Sequence, residues 1–402
     1  MRSHVVLRFL CILSLLGFGA APGTAAAAAP NVHGPLSACE DGIQAGGAHY
    51  RICMPPSWNG NLVVYVHGYV APTRPIGIPE DQMVLPNGSR IDDFVTSLGY
   101  AFATTSFRTN GLAVVPAQDD LIDLVSVFAA RHGAARKVLL AGVSEGGLIA
   151  ALLAERRSDV FAGALAMCGP YGDFRRQINY IGDFRTLFDW YFPNLIPPSP
   201  VDVPDLLRDT WETSFYSLTV QPVITAPENR AQLLELLGVA QTPMQDDDSA
   251  SQAAVERLLW YNVLGTADAA AKLGGQPFDN GDRQYTGSGD DAALNAGVGR
   301  FAADPAALAA IDDGYQTRGS LLMPVVTLHT TGDPLVPFWH ATAYRAKVEA
   351  AGAAARYEQY AIPRYGHCTF TALEILGAFN RLVAMTEEVT QHTLYMPLVA
   401  AP

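Results

Sequence analysis

One five-residue segment, Gly142-Val143-Ser144-Glu145-Gly146, constrains this chain more than any other feature. The apolar run 137–141 before it is typical of a short buried strand, and apolar residues recur at helical spacing from 147 to 157. The segment therefore predicts a sharp strand-to-helix turn with Ser144 at its tip. Gly142 and Gly146 favour this interpretation, because a side chain at either position would collide with neighbouring backbone. The alternative is an ordinary serine in a glycine-rich turn.

The N-terminal residues have the pattern of a targeting segment. Arg2 and Arg8 lie near the start, an apolar stretch covers 9–16, and alanines dominate 25–29. This pattern predicts a secretory signal peptide over 1–29, and hence a protein that is secreted, either extracellular or periplasmic. No later run reaches the roughly 18 apolar residues of a membrane span. The net charge of −13 disfavours nucleic acid as a partner.

Buried apolar runs alternate with helical patterns along the rest of the chain, at 62–66, 100–106, 137–141, 160–167, 324–328 and 357–362. This alternation predicts an α/β fold with a doubly wound, mostly parallel sheet. We expect 30–168 and 324–402 to form the two parts of one core, and 169–323 to form a large, mainly helical inserted cap. The cap aromatics are predicted to be core residues first and lining of a substrate pocket second: Phe188, Trp190, Tyr191, Trp211 and Trp260.

Two residues are candidates to act with the serine. Asp333 follows the apolar run 324–328, and His367 follows the next predicted strand. A serine hydroxyl needs a base to accept its proton, and that base needs a third group to orient it. Open α/β sheets place such residues at the carboxyl ends of their strands, where both of these lie. The alternatives are an aspartate that only caps a turn and a histidine that only packs.

A second loop is a candidate for binding a developing negative charge. His67-Gly68-Tyr69 ends the strongest apolar run, at 62–66. Such a loop supplies one backbone N–H to an oxyanion, and the residue after the nucleophile supplies another, which makes the N–H groups of Tyr69 and Glu145 the candidates. We expect His67 to make a structural hydrogen bond rather than to transfer a proton.

After the predicted leader, four cysteines remain: Cys39, Cys53, Cys168 and Cys368. An even number in an exported chain predicts two disulfides, with three possible pairings. Spacing favours a local Cys39–Cys53 bond, which leaves Cys168 for Cys368. The alternative is the local bond with two free buried thiols. No zinc-ligand or EF-hand spacing is present, so we expect no metal and no cofactor.

The serine turn, the His-Gly loop, the Gly-Asp-Pro turn at Asp333 and the Gly-His loop at His367 resemble the α/β-hydrolase superfamily across nearly the whole mature chain. The chain looks like secreted bacterial serine esterases and prolyl-oligopeptidase-like hydrolases, which implies cofactor-free cleavage of esters or peptides. The His367-Cys368 pair is also similar to the tannase and feruloyl-esterase family, although Val143 stands where that family has a cysteine.

These patterns together predict a serine hydrolase. Our first hypothesis is cleavage of a small-molecule or polymeric ester through an acyl-enzyme, with Ser144 attacking, His367 moving the proton and Asp333 orienting the imidazole. A serine exopeptidase is the second hypothesis, because the same three residues serve amides. A non-catalytic binding protein on a hydrolase scaffold is the third.

Overall fold

A single eight-stranded sheet organises the protein. The computed structural model describes residues 38–85, 87–197 and 199–394, with the backbone alone for 389–394, so the predicted signal peptide lies outside the described residues. The strand order is β1-β2-β4-β3-β5-β6-β7-β8. The strands are β1 Ala38–Ile43, β2 His49–Met54, β3 Asn61–Val66, β4 Ala101–Thr105, β5 Lys137–Val143, β6 Gly163–Met167, β7 Val325–Gly332 and β8 Tyr357–Tyr365.

The six strands from β3 to β8 run parallel, which confirms the predicted mostly parallel sheet. These strands read as continuous apolar runs because helices cover both faces of a parallel sheet. Leu62, Val63 and Val64 are each 2% exposed or less, for example, although their side chains alternate between the two faces. The edge strand β1 pairs antiparallel with β2, and β2 pairs antiparallel with β4; neither β1 nor β2 was predicted.

Helices cover both faces of the sheet and fill the segment between β6 and β7. The helices are α1 Ile91–Ser97, α2 Val114–His132, α3 Glu145–Arg156, α4 Phe174–Tyr191, α5 Asp205–Thr210, α6 Gln221–Ile224, α7 Arg230–Val239, α8 Asp248–Leu273, α9 Asp291–Gly297, α10 Pro305–Gly314, α11 Trp339–Ala350 and α12 Ala372–Leu394, with a π-helix at Trp211–Val220. None of the described helices is long and apolar enough to cross a membrane.

Two apolar cores hold these layers together. One face of the sheet packs against α2, α3 and α11, with Leu121, Leu152 and Tyr344 fully buried. The other face packs against α1 and α12, where Leu382 is fully buried. Burying a leucine-sized side chain stabilises a fold by about 2 kcal/mol, so both layers of helices stabilise the sheet.

The segment between β6 and β7 has an apolar core of its own. Helices α4, α7 and α8 supply most of it, with Phe184, Leu236 and Leu258 fully buried. Leu335, in the loop after β7, belongs to the same core and connects it to the carboxyl edge of the sheet. This segment therefore packs over the edge at which the candidate residues lie.

Candidate active site

Ser144 lies in a strained turn between β5 and α3. Its backbone has φ 56° and ψ −120°, a region that residues with side chains rarely adopt. A Cβ added to Gly142 would overlap the carbonyl of Gly146, and one added to Gly146 would overlap the carbonyl of Val66. Both positions therefore need glycine, and the turn projects the serine side chain from the end of the strand.

The side chains of Ser144, His367 and Asp333 form one hydrogen-bonded chain. Ser144 Oγ lies 2.9 Å from His367 Nε2, and His367 Nδ1 lies 2.7 Å from Asp333 Oδ2. Hydrogen bonds of these lengths place the serine proton within reach of the imidazole and fix the ring through its other nitrogen. The structure thus brings together three side chains that are far apart in the sequence.

Backbone groups hold Asp333 in place. Its side chain is fully buried, and its Oδ1 accepts the N–H groups of Leu335 at 2.9 Å and Val336 at 3.0 Å. With Oδ1 saturated in this way, Oδ2 is left for His367. The Gly366 N–H also donates to the Gly332 carbonyl at 3.1 Å, which ties the histidine loop to the aspartate loop.

A network around Gln82 holds the His-Gly loop. The Gly68 N–H donates to Gln82 Oε1 at 2.8 Å, and Gln82 Nε2 donates to the Tyr69 carbonyl at 3.1 Å. A Cβ on Gly68 would lie 3.1 Å from the Ser144 Cβ, so the loop runs directly beside the serine. Sequence reasoning missed Gln82, which ends the 3-10 helix Glu80–Gln82, because a helix of three residues is too short to show a periodic pattern.

His67 has the structural position expected of it. Its Nδ1–H donates to the Gly68 carbonyl at 2.7 Å, and its ring stacks on Phe107. Burial lowers the pKa of His67 to about 4, so the ring stays neutral. In a trans peptide the Tyr69 N–H points opposite to the Gly68 carbonyl, hence away from the His67 ring. His67 therefore fixes the orientation of the peptide that carries the candidate oxyanion donor.

Glu145 is a buried acid directly after the serine. It is 6% exposed, and its Oε1 accepts the Ala113 N–H at 3.0 Å. Burial, the largest cause, raises the pKa of Glu145 to about 8, so the side chain is neutral at lower pH. As the first residue of α3, Glu145 carries a backbone N–H with no acceptor in the preceding turn of helix. The sequence indicated this N–H but not the buried carboxyl.

Both cysteine pairs stand at bonding distance. Cys39 is bonded to Cys53, its direct partner across β1 and β2, and Cys168 is bonded to Cys368 over a separation of 200 residues. The second bond joins the end of β6 to the residue after His367. Cys168, Cys368 and His367 are close enough to share an ion, but metals bind thiolates and both sulfurs lie in the disulfide.

A mostly apolar cavity of about 140 Å³ is lined by Ser144. Its walls come from the loops at Tyr69 and Leu335 and from helices α4 and α8. The five cap aromatics proposed from the sequence as secondary pocket lining do not line it. Phe188 and Trp211 are buried in the core of the helical segment instead, because large aromatic rings are the residues that fill such a core.

No protein-family model matches the chain, and a search of curated proteins finds no match. Among solved structures, the chain is similar to an esterase from Pyrococcus furiosus, with 10% sequence identity and a TM-score of 0.45 over 88% of this chain and 91% of that chain. Candida antarctica lipase A in its closed state has 12% identity and a TM-score of 0.47, over 88% and 78%. An acylaminoacyl peptidase from Pyrococcus horikoshii has 11% identity and a TM-score of 0.44, and the chain spans 88% of its own length but 41% of that protein.

The sheet order places the serine turn after β5, Asp333 after β7 and His367 after β8. By this sheet order and by the strand, turn and helix around Ser144, the chain has the α/β-hydrolase fold.

Proposed function

We propose that this protein is a serine hydrolase that cleaves carboxylic esters through an acyl-enzyme. The observation that supports it most strongly is the unbroken chain of hydrogen bonds, 2.9 Å from Ser144 Oγ to His367 Nε2 and 2.7 Å from His367 Nδ1 to Asp333. Neutral His367 would take the Ser144 proton as the oxygen attacks the ester carbonyl. Asp333, buried and held by two backbone N–H groups, would stabilise the imidazolium.

The reaction then proceeds by bond exchange at the carbonyl carbon. The serine oxygen forms a bond to this carbon, and the carbonyl oxygen becomes an oxyanion that accepts the N–H groups of Tyr69 and Glu145. The bond to the leaving alcohol breaks as His367 returns the proton to that oxygen. Water then attacks the acyl-enzyme as His367 accepts one of its protons. His367 returns this proton to Ser144 Oγ as the bond between Oγ and the acyl group breaks, which releases the carboxylic acid and free Ser144.

The charges beside the site favour an ester over a peptide with a free amino group. An exopeptidase that acts at a free amino terminus needs an available carboxylate for the substrate ammonium group. Asp268 already pairs with Lys272 at 2.9 Å. Burial raises the pKa of Glu145 to about 8, so its side chain is neutral at lower pH. A mostly apolar cavity in contact with Ser144 fits an acyl chain better.

We further infer that 169–323 serves as a cap and that the protein is exported. Both α4 and α8 of this segment contribute to the cavity wall, as a cap over the site would. The two disulfides fit an oxidising compartment, in agreement with the leader pattern over 1–29.

A release assay tests the proposed function. The full-length chain and Ser144→Ala are compared on p-nitrophenyl esters and on aminoacyl p-nitroanilides. We expect turnover of the esters by the native protein and a loss of at least about a thousandfold in Ser144→Ala. Faster turnover of the anilides would favour the exopeptidase. Equal ester turnover in both proteins would contradict the role of Ser144.

A further inference from the structure

The cavity at Ser144 has the size of a short acyl group. Its volume is about 140 Å³, and a cavity of about 150 Å³ with apolar walls holds one benzene molecule. Ile178 and Ile181 of α4 and Ala269 of α8 line it. These walls fit a hydrocarbon chain of about the volume of benzene.

Among the described residues that line this cavity, one has a buried polar side-chain atom without a hydrogen-bond partner. The Tyr69 hydroxyl is buried and has no hydrogen-bond partner among the residues that the structure describes. A Cβ added to Gly265 of α8, which also lines the cavity, would lie 3.3 Å from this hydroxyl. Leaving a buried hydroxyl unpaired is unfavourable, so a bound group that pairs with it is stabilised relative to one that does not.

The packing around Tyr69 keeps this hydroxyl in place. Its ring meets Trp260 and Tyr261 edge-on, with centroids 5.9 Å and 5.5 Å away. Its backbone carbonyl is held by Gln82. The same residue carries the candidate oxyanion N–H, and Tyr69 and Ser144 line the same cavity.

The charges near this hydroxyl indicate which kind of group it can bind. Burial, and then the charge of Asp268, raise the pKa of Tyr69 well above its ordinary value, and burial raises the pKa of Glu145 to about 8, which keeps that side chain neutral at lower pH. Asp268 is bonded to Lys272 at 2.9 Å and to the Leu112 N–H at 2.7 Å. Neither acid is therefore available for a substrate cation, and a neutral group is the better partner for Tyr69.

We propose that the cavity binds the acyl part of an ester whose short chain carries one uncharged oxygen substituent, a hydroxyl or a carbonyl, and that this substituent hydrogen-bonds to the Tyr69 hydroxyl. The proposal rests on the proposed function of Ser144. It adds a substrate class, short oxygenated acyl esters, that the catalytic residues alone do not define.

Matched six-carbon esters with one leaving group test the proposal. The native protein and Tyr69→Phe are compared on p-nitrophenyl esters of four kinds of acid. These are hexanoic acid, hydroxyhexanoic and oxohexanoic acids substituted at each chain position, and aminohexanoic acid. We expect one oxygenated ester to exceed hexanoate in kcat/KM by roughly tenfold, the effect of one net hydrogen bond, and this ratio to fall to about one in Tyr69→Phe. Tyr216→Phe, whose ring does not line the cavity, should keep the native ratio.

Equal rates on all esters, a preference for the aminoacyl ester, or a preference that survives in Tyr69→Phe would each overturn the proposal. Labelling of Ser144 by a fluorophosphonate separates this failure from failure of the proposed function. A labelled protein with no oxygen preference overturns the substrate class alone, whereas turnover of esters without labelling overturns both. In a second variant, Gly265→Val, the added side chain occupies the cavity, and we expect the favoured chain to become shorter; an unchanged chain-length profile would contradict acyl binding there.

Discussion

The buried carboxyl of Glu145 gives the fold a stability that depends on pH. Burial raises the pKa of Glu145 from its ordinary value of 4.5 to about 8, so this side chain holds its proton in the folded protein across a range in which the unfolded chain has lost it. Well below pH 4.5 the carboxyl is neutral in both the folded and the unfolded state, so its titration does not change the free energy of unfolding there. As pH rises towards 8, the unfolded state gains from ionisation, and the free energy of unfolding falls.

The size of this effect follows from the pKa values. The rise of the Glu145 pKa from 4.5 to about 8 corresponds to about 5 kcal/mol in total, at about 1.36 kcal/mol per pKa unit. Glu145→Gln removes the titration but keeps an oxygen that can accept the Ala113 N–H. We therefore expect the variant to gain stability over the native protein by about 1 kcal/mol per pH unit between pH 5 and 8.

Urea unfolding of both proteins at several pH values measures this difference. Glu228→Gln is the control, since Glu228 is exposed and its replacement should give a difference that stays constant with pH. A stability difference between Glu145→Gln and the native protein that is constant from pH 5 to 8 would refute the assignment of Glu145 as a buried neutral acid.

Three further variants test the turn, the loop and the second disulfide. Gly146→Ala should abolish folding or activity, because the added Cβ overlaps the backbone carbonyls of Val66 and His67. Gly238→Ala is the control, since there is open space around Gly238, and it should raise the unfolding temperature slightly. Equal unfolding temperatures for the two variants would contradict the close approach of Gly146 to the backbone of Val66 and His67. Gln82→Ala should lower kcat by roughly tenfold to a hundredfold with little change in KM, because the His-Gly loop loses its two hydrogen bonds to the Gln82 side chain. Steady-state kinetics that show a change in KM alone would argue against this role of Gln82. Replacing Cys168 and Cys368 together by serine should cost about 2–5 kcal/mol in urea unfolding, and an unchanged midpoint would count against the bond.

The parallel core could be predicted from the sequence because its strands are buried on both faces and read as uninterrupted apolar runs. The run predicted at 62–66 is the strand Asn61–Val66, and that at 137–141 is the start of Lys137–Val143. The antiparallel strand Ala38–Ile43 was missed because it is an edge strand that alternates exposed and half-buried residues, with Ile43 itself 65% exposed. The run predicted at 160–167 is shorter in the structure, Gly163–Met167, because a turn precedes it.

The candidate site could likewise be predicted from the sequence only in part. Ser144, Asp333 and His367 each follow a strand, so local patterns indicate them and the sheet brings them together. The contacts of Gln82 and the unpaired hydroxyl of Tyr69 depend on segments far apart in the sequence. Only the folded arrangement of these segments reveals such partners, and no periodicity encodes them.

The most direct test of the account is the site of covalent labelling. The native protein is treated with a fluorophosphonate, digested and mapped by mass spectrometry, with Ser144→Ala as the control. We expect one adduct, on the peptide that contains Ser144, and none in the variant, because the hydrogen bond of 2.9 Å to His367 activates this hydroxyl. An adduct on another serine, or labelling of Ser144→Ala to the native extent, would contradict the assignment of Ser144 as the nucleophile.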